Sequence, residues 1–167
     1  MISVFDVAAY ILEKKGNMTT MKLQKLVYYC QAWSLVWDEE PLFDEKIEAW
    51  ENGPVVPALY ETHRRKYKIS QSDVAEGDSD CIKTHASQRE TIDAVLEFYG
   101  HRSAQWLIEL SHSERPWLET RGELKPFEKA SKEIAHGVMA DYYSGLLENE
   151  NGKTQKETEA SSEDIPF

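Results

Sequence analysis

From about Ser3 to Lys15, apolar side chains at Val4, Phe5, Val7, Ala8, Ala9, Ile11 and Leu12 cover more than half of a helix circumference. A helix lying on a surface needs only one apolar stripe, so a segment apolar around most of its girth has to be wrapped by other elements. This pattern predicts a helical domain with this first helix at its centre. Ser3 and Asp6 stand at capping-box spacing before it, and Gly16 is placed to end it.

A second helix is expected from a Thr19 or Thr20 cap to about Trp37, with Leu23, Leu26, Val27, Cys30, Trp33 and Trp37 on its core face. Lys22, Lys25 and Tyr29 then fall on a strip beside that face, close to the surface, and Gln24, Tyr28 and Gln31 lie roughly opposite it. Asp38-Glu39-Glu40-Pro41 breaks the helix. Lys46 to Glu51 alternates polar with apolar as a half-buried strand does, and Asn52-Gly53-Pro54 turns the chain. A helix from Val55 to Tyr67 and a short strand around Lys68 to Ser70 follow, so a small two- or three-stranded antiparallel sheet is expected around residues 42 to 70.

Asp73 to His85 reads as a polar loop. Ser87 and Glu90 form a capping box before Ile92, Val95, Leu96 and Tyr99. Ser103 opens a further helix that Ser113-Glu114-Arg115-Pro116-Trp117 interrupts. A last helix is expected from roughly Glu128 to Leu147, where Ala135, Val138, Met139, Tyr142 and Leu146 recur at the helical period. Residues Glu148 to Asp164 hold six acidic and two basic side chains and nothing able to build a core. The expected organisation is therefore one mainly α domain over 1–147 and a disordered acidic tail over 148–167.

A net charge of −11 argues against nonspecific binding to duplex DNA or an anionic membrane, which is driven by Lys and Arg displacing counterions, and it points to basic partners. No apolar run is long enough to span a bilayer and no signal-peptide pattern precedes the first helix, so a cytoplasmic location is expected. Cys30 and Cys81 read as two unpaired thiols. The five histidines are scattered without the spacing of a metalloenzyme helix, and no nucleophile elbow, Walker loop or Gly-x-Gly-x-x-Gly is present. The chain is therefore expected to be neither an enzyme nor the holder of a cofactor or metal. The basic run His63-Arg64-Arg65-Lys66-Tyr67-Lys68 reads as charge complementing a helix C-terminus, or as a partner-binding patch, in preference to a nucleic-acid contact.

Two segments carry more. Thr20-Met21-Lys22-Leu23-Gln24-Lys25-Leu26-Val27-Tyr28-Tyr29 is followed by Ala49-Trp50-Glu51-Asn52-Gly53-Pro54-Val55. In that order and at that distance, the pair resembles the two signatures of the Panacea domain, the fold of SocA-like antitoxins and phage-associated GepA proteins. Ser111-His112-Ser113 with Pro116-Trp117 resembles a weaker feature of the same family, and the likeness extends over roughly residues 3 to 147. The resemblance implies a helical domain that neutralises a toxic partner protein by direct contact, in one member as an adaptor handing its toxin to a protease. On that reading Leu23, Leu26, Trp50, Gly53, Pro54 and Val55 serve the fold, whereas Lys22, Gln24, Lys25, Tyr28 and Tyr29 are the contact candidates.

The terminal Asp164-Ile165-Pro166-Phe167 is similar to the tip of bacterial single-stranded DNA-binding protein. That resemblance implies a phage or mobile-element binding module engaging host replication or repair enzymes. Phe167 would fill an apolar pocket beside a cation for its carboxylate. The alternative is a tail that only solubilises.

Overall fold

The computed structural model describes residues 1–154. Twelve elements follow in order: α1 (Val4–Lys15), β1 (Met18–Thr19), α2 (Thr20–Trp37), β2 (Glu48–Trp50), β3 (Gly53–Val55), α3 (Pro57–His63), β4 (Lys68–Ile69), α4 (Ser79–Lys83), α5 (Ala86–Tyr99), α6 (Ala104–Ser113), α7 (Arg115–Arg121) and α8 (His136–Thr154). The fold is mainly helical with small antiparallel strand pairs, as the hydrophobic periods predict. The starts of α1 and α2 are set locally. Ser3 and Asp6 exchange the two bonds of a capping box, and the Thr19 hydroxyl accepts from the Lys22 amide.

The central helix is α2 rather than α1. Thr20 and every residue from Leu23 to Ser34 are buried, because α1, α5, α6, α8 and β3 enclose α2 on all sides. A stripe on one face is enough for a helix with one covered side. Here the polar side chains turn inward as well, each meeting a partner from another element. The expected surface strip is accordingly corrected: Gln24, Lys25, Tyr28, Tyr29 and Gln31 are all buried, and of the named contact candidates on α2 only Lys22 keeps partial exposure.

Helix α8 runs antiparallel to α2, with His136 beside Gln31 and Tyr143 bonded to Tyr28. It begins eight residues later than expected and continues to Thr154, past the expected end of the folded domain. Its N-terminal side is preceded by an extended stretch in which Ile134 N–H donates to the Ile47 carbonyl and Ala49 N–H to that of Lys132. Satisfying the outer edge of β2 takes backbone that periodicity alone assigns to the helix. Asp164, Ile165, Pro166 and Phe167 lie outside the described residues.

Two separate strand pairs replace the single expected sheet. β2 and β3 form a hairpin with Trp50 opposite Gly53, and β1 pairs with β4, Thr19 opposite Lys68. The Ser87–Glu90 capping box does not form. Ser87 instead donates to Asp38, as does Thr91, tying the end of α2 to α5. The expected loop over Asp73 to His85 follows a 3-10 turn at Gln71–Asp73 and contains the short α4.

Two non-glycine residues take the left-handed region, Glu39 with φ +56° and Arg65, and the second of them lies in a defined turn. Lys66 N–H donates to the His63 carbonyl at 2.9 Å, Arg64 has φ −54° and ψ 139°, and Arg65 has φ +73°. These values describe a type II turn with arginine where glycine is the usual occupant. Arg65→Gly is expected to raise stability by about 1 kcal/mol, since it removes the Cβ that opposes this conformation. A thermal melt with an unchanged or lower midpoint would show that the turn is not strained.

Candidate functional site

The two signature segments meet in space. Around the hairpin formed by β2 and β3, side chains from two helices, α2 and α7, bind its backbone and that of the residue after it. From α2, the Gln24 carboxamide accepts from Val56 N–H at 2.9 Å and donates to the Val56 carbonyl at 3.4 Å, pairing with the chain as a neighbouring strand would. Its nitrogen also meets His63 Nε2 of α3 at 2.9 Å. Next along α2, Lys25 Nζ donates to the Pro54 carbonyl at 3.3 Å from a fully buried position.

On the hairpin's other side, Trp117 Nε1 of α7 donates to the Trp50 carbonyl at 2.7 Å, and the buried Arg121 guanidinium reaches the Ala49 carbonyl at 3.2 Å. The same guanidinium holds the Lys125 and Glu128 carbonyls, each at 2.8 Å, fixing the following loop against the hairpin. His112, at the end of α6, stacks on Trp117 with ring centroids 4.2 Å apart.

Gly53 makes the arrangement possible. Its φ is +115°, and a Cβ there would lie 2.7 Å from Lys25 Cε and 3.2 Å from Ser111 Oγ. The turn thus lies directly on the lysine stem, in a backbone conformation that L side chains rarely adopt. Leu23, Leu26 and Val55 are in the core, Pro54 is buried, and Trp50 is half-exposed beside the tip residues Glu51 and Asn52.

Among the described residues, no carboxylate is bonded to Lys25. Burial pulls its ammonium down to about pH 7, and its charge in turn contributes to lowering His63 and His112, for both of which burial is the larger cause. The Nε2 atom of His112 is buried without a hydrogen-bond partner. Among the described residues, no group of three or more His, Cys, Asp and Glu side chains is placed to hold a metal ion. His85 Nδ1 approaches the Cys81 carbonyl at 2.6 Å, so the ring is engaged by backbone, and both cysteines are free.

A second buried network joins the hairpin's supports to α8. The Tyr29 and Tyr143 hydroxyls both donate to the same Glu114 carboxylate oxygen at 2.7 Å, and Tyr28 bonds to Tyr143 at 3.0 Å. Tyr99 stacks on Tyr29 at 4.1 Å and accepts from Trp33 Nε1. Burial raises Glu114 to about 7 against the lowering effect of the two tyrosine bonds. The sequence gives little notice of Glu114 or Arg121, since a polar residue near a helix end reads as solvated until its distant partners are known.

What the hairpin presents outward is a surface. Trp50 meets Tyr60 edge-on at 4.9 Å, and its Nε1 donates to Glu48, whose other oxygen pairs with Lys46 at 3.1 Å. Beside them is an open cleft of about 440 Å³ lined by Trp50, Glu51, Tyr60, Lys129, Ala130 and Ser131. Two aromatic rings and the Lys129 cation thus border one cleft, next to a hairpin whose backbone is bonded from two helices. No helix among the described residues is long and apolar enough to cross a membrane.

Comparison with known proteins agrees with this geometry. The family model described as Antitoxin SocA-like, Panacea domain, matches residues 23–118, which include every clamp residue named above except Arg121. The chain is 32% identical over 124 residues to Antitoxin SocA of Caulobacter vibrioides (strain NA1000 / CB15N). That alignment covers 66% of each protein, so the chain spans slightly less than two thirds of that relative's length. No solved structure matches. With more than half of its length matched, the chain belongs to the SocA-like antitoxin family and carries that family's Panacea domain.

Proposed function

We propose that the protein is an antitoxin that neutralises a cognate toxin by direct protein–protein contact, with no catalytic step of its own. The supporting observation is that the region matched by the family builds one rigid object: a hairpin held by Gln24, Lys25 and Trp117 that offers Trp50, Glu51 and Asn52 beside an aromatic-lined cleft. Preorganisation of this kind lowers the entropic cost of association. Lys22, Gln24, Lys25, Tyr28 and Tyr29 then divide by position. Lys22 is available to a partner, and the other four act by holding the surface in place.

Co-expression with the product of an adjacent toxin gene is expected to restore growth, and the pair is expected to co-purify as a stoichiometric complex. Asn52→Arg, at the exposed tip, should weaken that complex while changing stability by less than about 0.5 kcal/mol. Growth rescue without association in size exclusion would refute sequestration. A fall in toxin level dependent on a host protease would identify an adaptor mode. The separate reading of Asp164-Ile165-Pro166-Phe167 as a ligand for host replication or repair enzymes rests on the sequence of the terminus. It is checked by competition between a Ser162–Phe167 peptide and the single-stranded DNA-binding protein tip, with loss on deleting Phe167.

A further inference from the structure

The basic turn after α3 is a surface that the hairpin site does not use. Five cations gather there, Lys22, Arg64, Arg65, Lys66 and Lys68, in a chain whose net charge is −11. Arg64 is bridged to Glu61 and Lys66 to Asp73. Lys22, Arg65 and Lys68 have no ion-pair partner among the described residues. Backbone bonds bring them to one side of the molecule: Thr20 N–H donates to the Tyr67 carbonyl at 3.0 Å, and the Thr20 hydroxyl to that of Lys66 at 3.3 Å. In the β1–β4 pair Met18 and Ile69 face the core, so the opposed Thr19 and Lys68 face out, and the Lys22 amide is bonded to the Thr19 hydroxyl. Lys22 is held below the usual lysine range by partial burial and then by the nearby Lys15 ammonium, so these two cations are within electrostatic reach of each other.

Two features separate this patch from an ordinary solvated one. Tyr67 is 76% exposed in the middle of it, an apolar ring with nothing packed over it. Arg65 keeps the left-handed position of the type II turn, where glycine would be cheaper, so strain is retained at the place where a charge is displayed. Neither is needed to complement a helix C-terminus, which any cation in the last turn of α3 does.

We propose that the His63–Lys66 turn, with Lys22, Tyr67 and Lys68, is a docking site for a short acidic segment of the partner protein. The net charge points to basic partners, and this turn is the local exception. Its extent selects the ligand: a short acidic peptide needs only the few cations of the patch, whereas duplex DNA carries its phosphates past them toward a chain whose net charge is −11, which disfavours it. The proposal rests on reading the chain as a protein-binding module, and it adds a second contact one helical turn from Tyr60 of the cleft.

The test uses the full chain and a short fluorescein-labelled polyglutamate peptide, read by anisotropy. Binding is expected at low salt and should weaken as salt screens it. Arg65→Gly and Lys68→Glu should each reduce it by about tenfold, while Lys125→Glu, an exposed position outside the patch, leaves it unchanged. Arg65→Gly is the decisive variant, because the strain argument predicts a protein that melts higher and binds worse. Wild-type binding in Arg65→Gly, equal loss in Lys125→Glu, or tighter binding of duplex DNA of matched charge would each overturn the site. A chain that rescues growth and forms its complex yet ignores the peptide would overturn the docking site alone and leave the antitoxin reading intact.

Discussion

Gly53→Ala is expected to cost about 2–5 kcal/mol of stability, a large part of what a domain of this size has, and Gly53→Val more. Two costs combine. The φ of +115° opposes any L side chain, and the added Cβ falls 2.7 Å from Lys25 Cε. The second cost depends on the lysine stem, so Lys25→Ala should make Gly53→Ala cheaper, and a double-mutant cycle should show a coupling of about 1 kcal/mol or more. Denaturant titration of the four proteins measures it. Strict additivity would mean that backbone conformation alone excludes the side chain, and that the turn does not lie on Lys25.

Stability should pass through a minimum near neutral pH as far as Glu114 and Lys25 control it. Glu114 is raised from 4.5 to about 7 in the folded protein. Between those values the unfolded chain is ionised and the folded one is not, so stability is full below 4.5 and falls as pH rises to 7. Lys25 is lowered from 10.5 to about 7. Its contribution is full above 10.5 and is lost as pH falls to 7, where the folded protein also begins to take up the proton. Glu114→Gln keeps an oxygen to accept from both tyrosines but carries no charge, so it should remove the acid limb. Its advantage over the wild type should grow between pH 4.5 and 7 by on the order of 2 kcal/mol. Lys25→Met should flatten the alkaline limb instead. Differences between variant and wild type that stay constant with pH would show that neither group is buried in its charged form's unfavourable environment.

Glu114 also shows where sequence reasoning stops. It sits between a helix end and a proline and reads as an exposed breaker, yet its partners Tyr29 and Tyr143 are 85 and 29 residues away in the chain. The same holds for Lys25. On an amphipathic helix it reads as solvated, because a lone lysine is almost never buried without compensation. Here Gly53 leaves room for its stem, and Pro54 offers a carbonyl. The mistaken surface strip on α2 therefore has one cause: the helix is enclosed on every side, so its polar residues face other elements instead of water.

The sequence by itself determined the helical class, the Ser3 cap, a threonine cap at Thr19 or Thr20, the break after Trp37 and the hairpin turn at Asn52-Gly53-Pro54. Each of these is decided by residues within a few positions of one another, through hydrogen bonds and backbone preferences that need no third party. The pairing of two signature segments also pointed to the family. Only the tertiary structure decided that α2 is central, that Gln24 and Lys25 act inward on the hairpin, that α8 begins after an extended stretch bridged to β2, and that Lys22 joins the basic run around Arg65. Those outcomes depend on which distant backbone groups are left unpaired and on where other elements leave space, which no local pattern encodes.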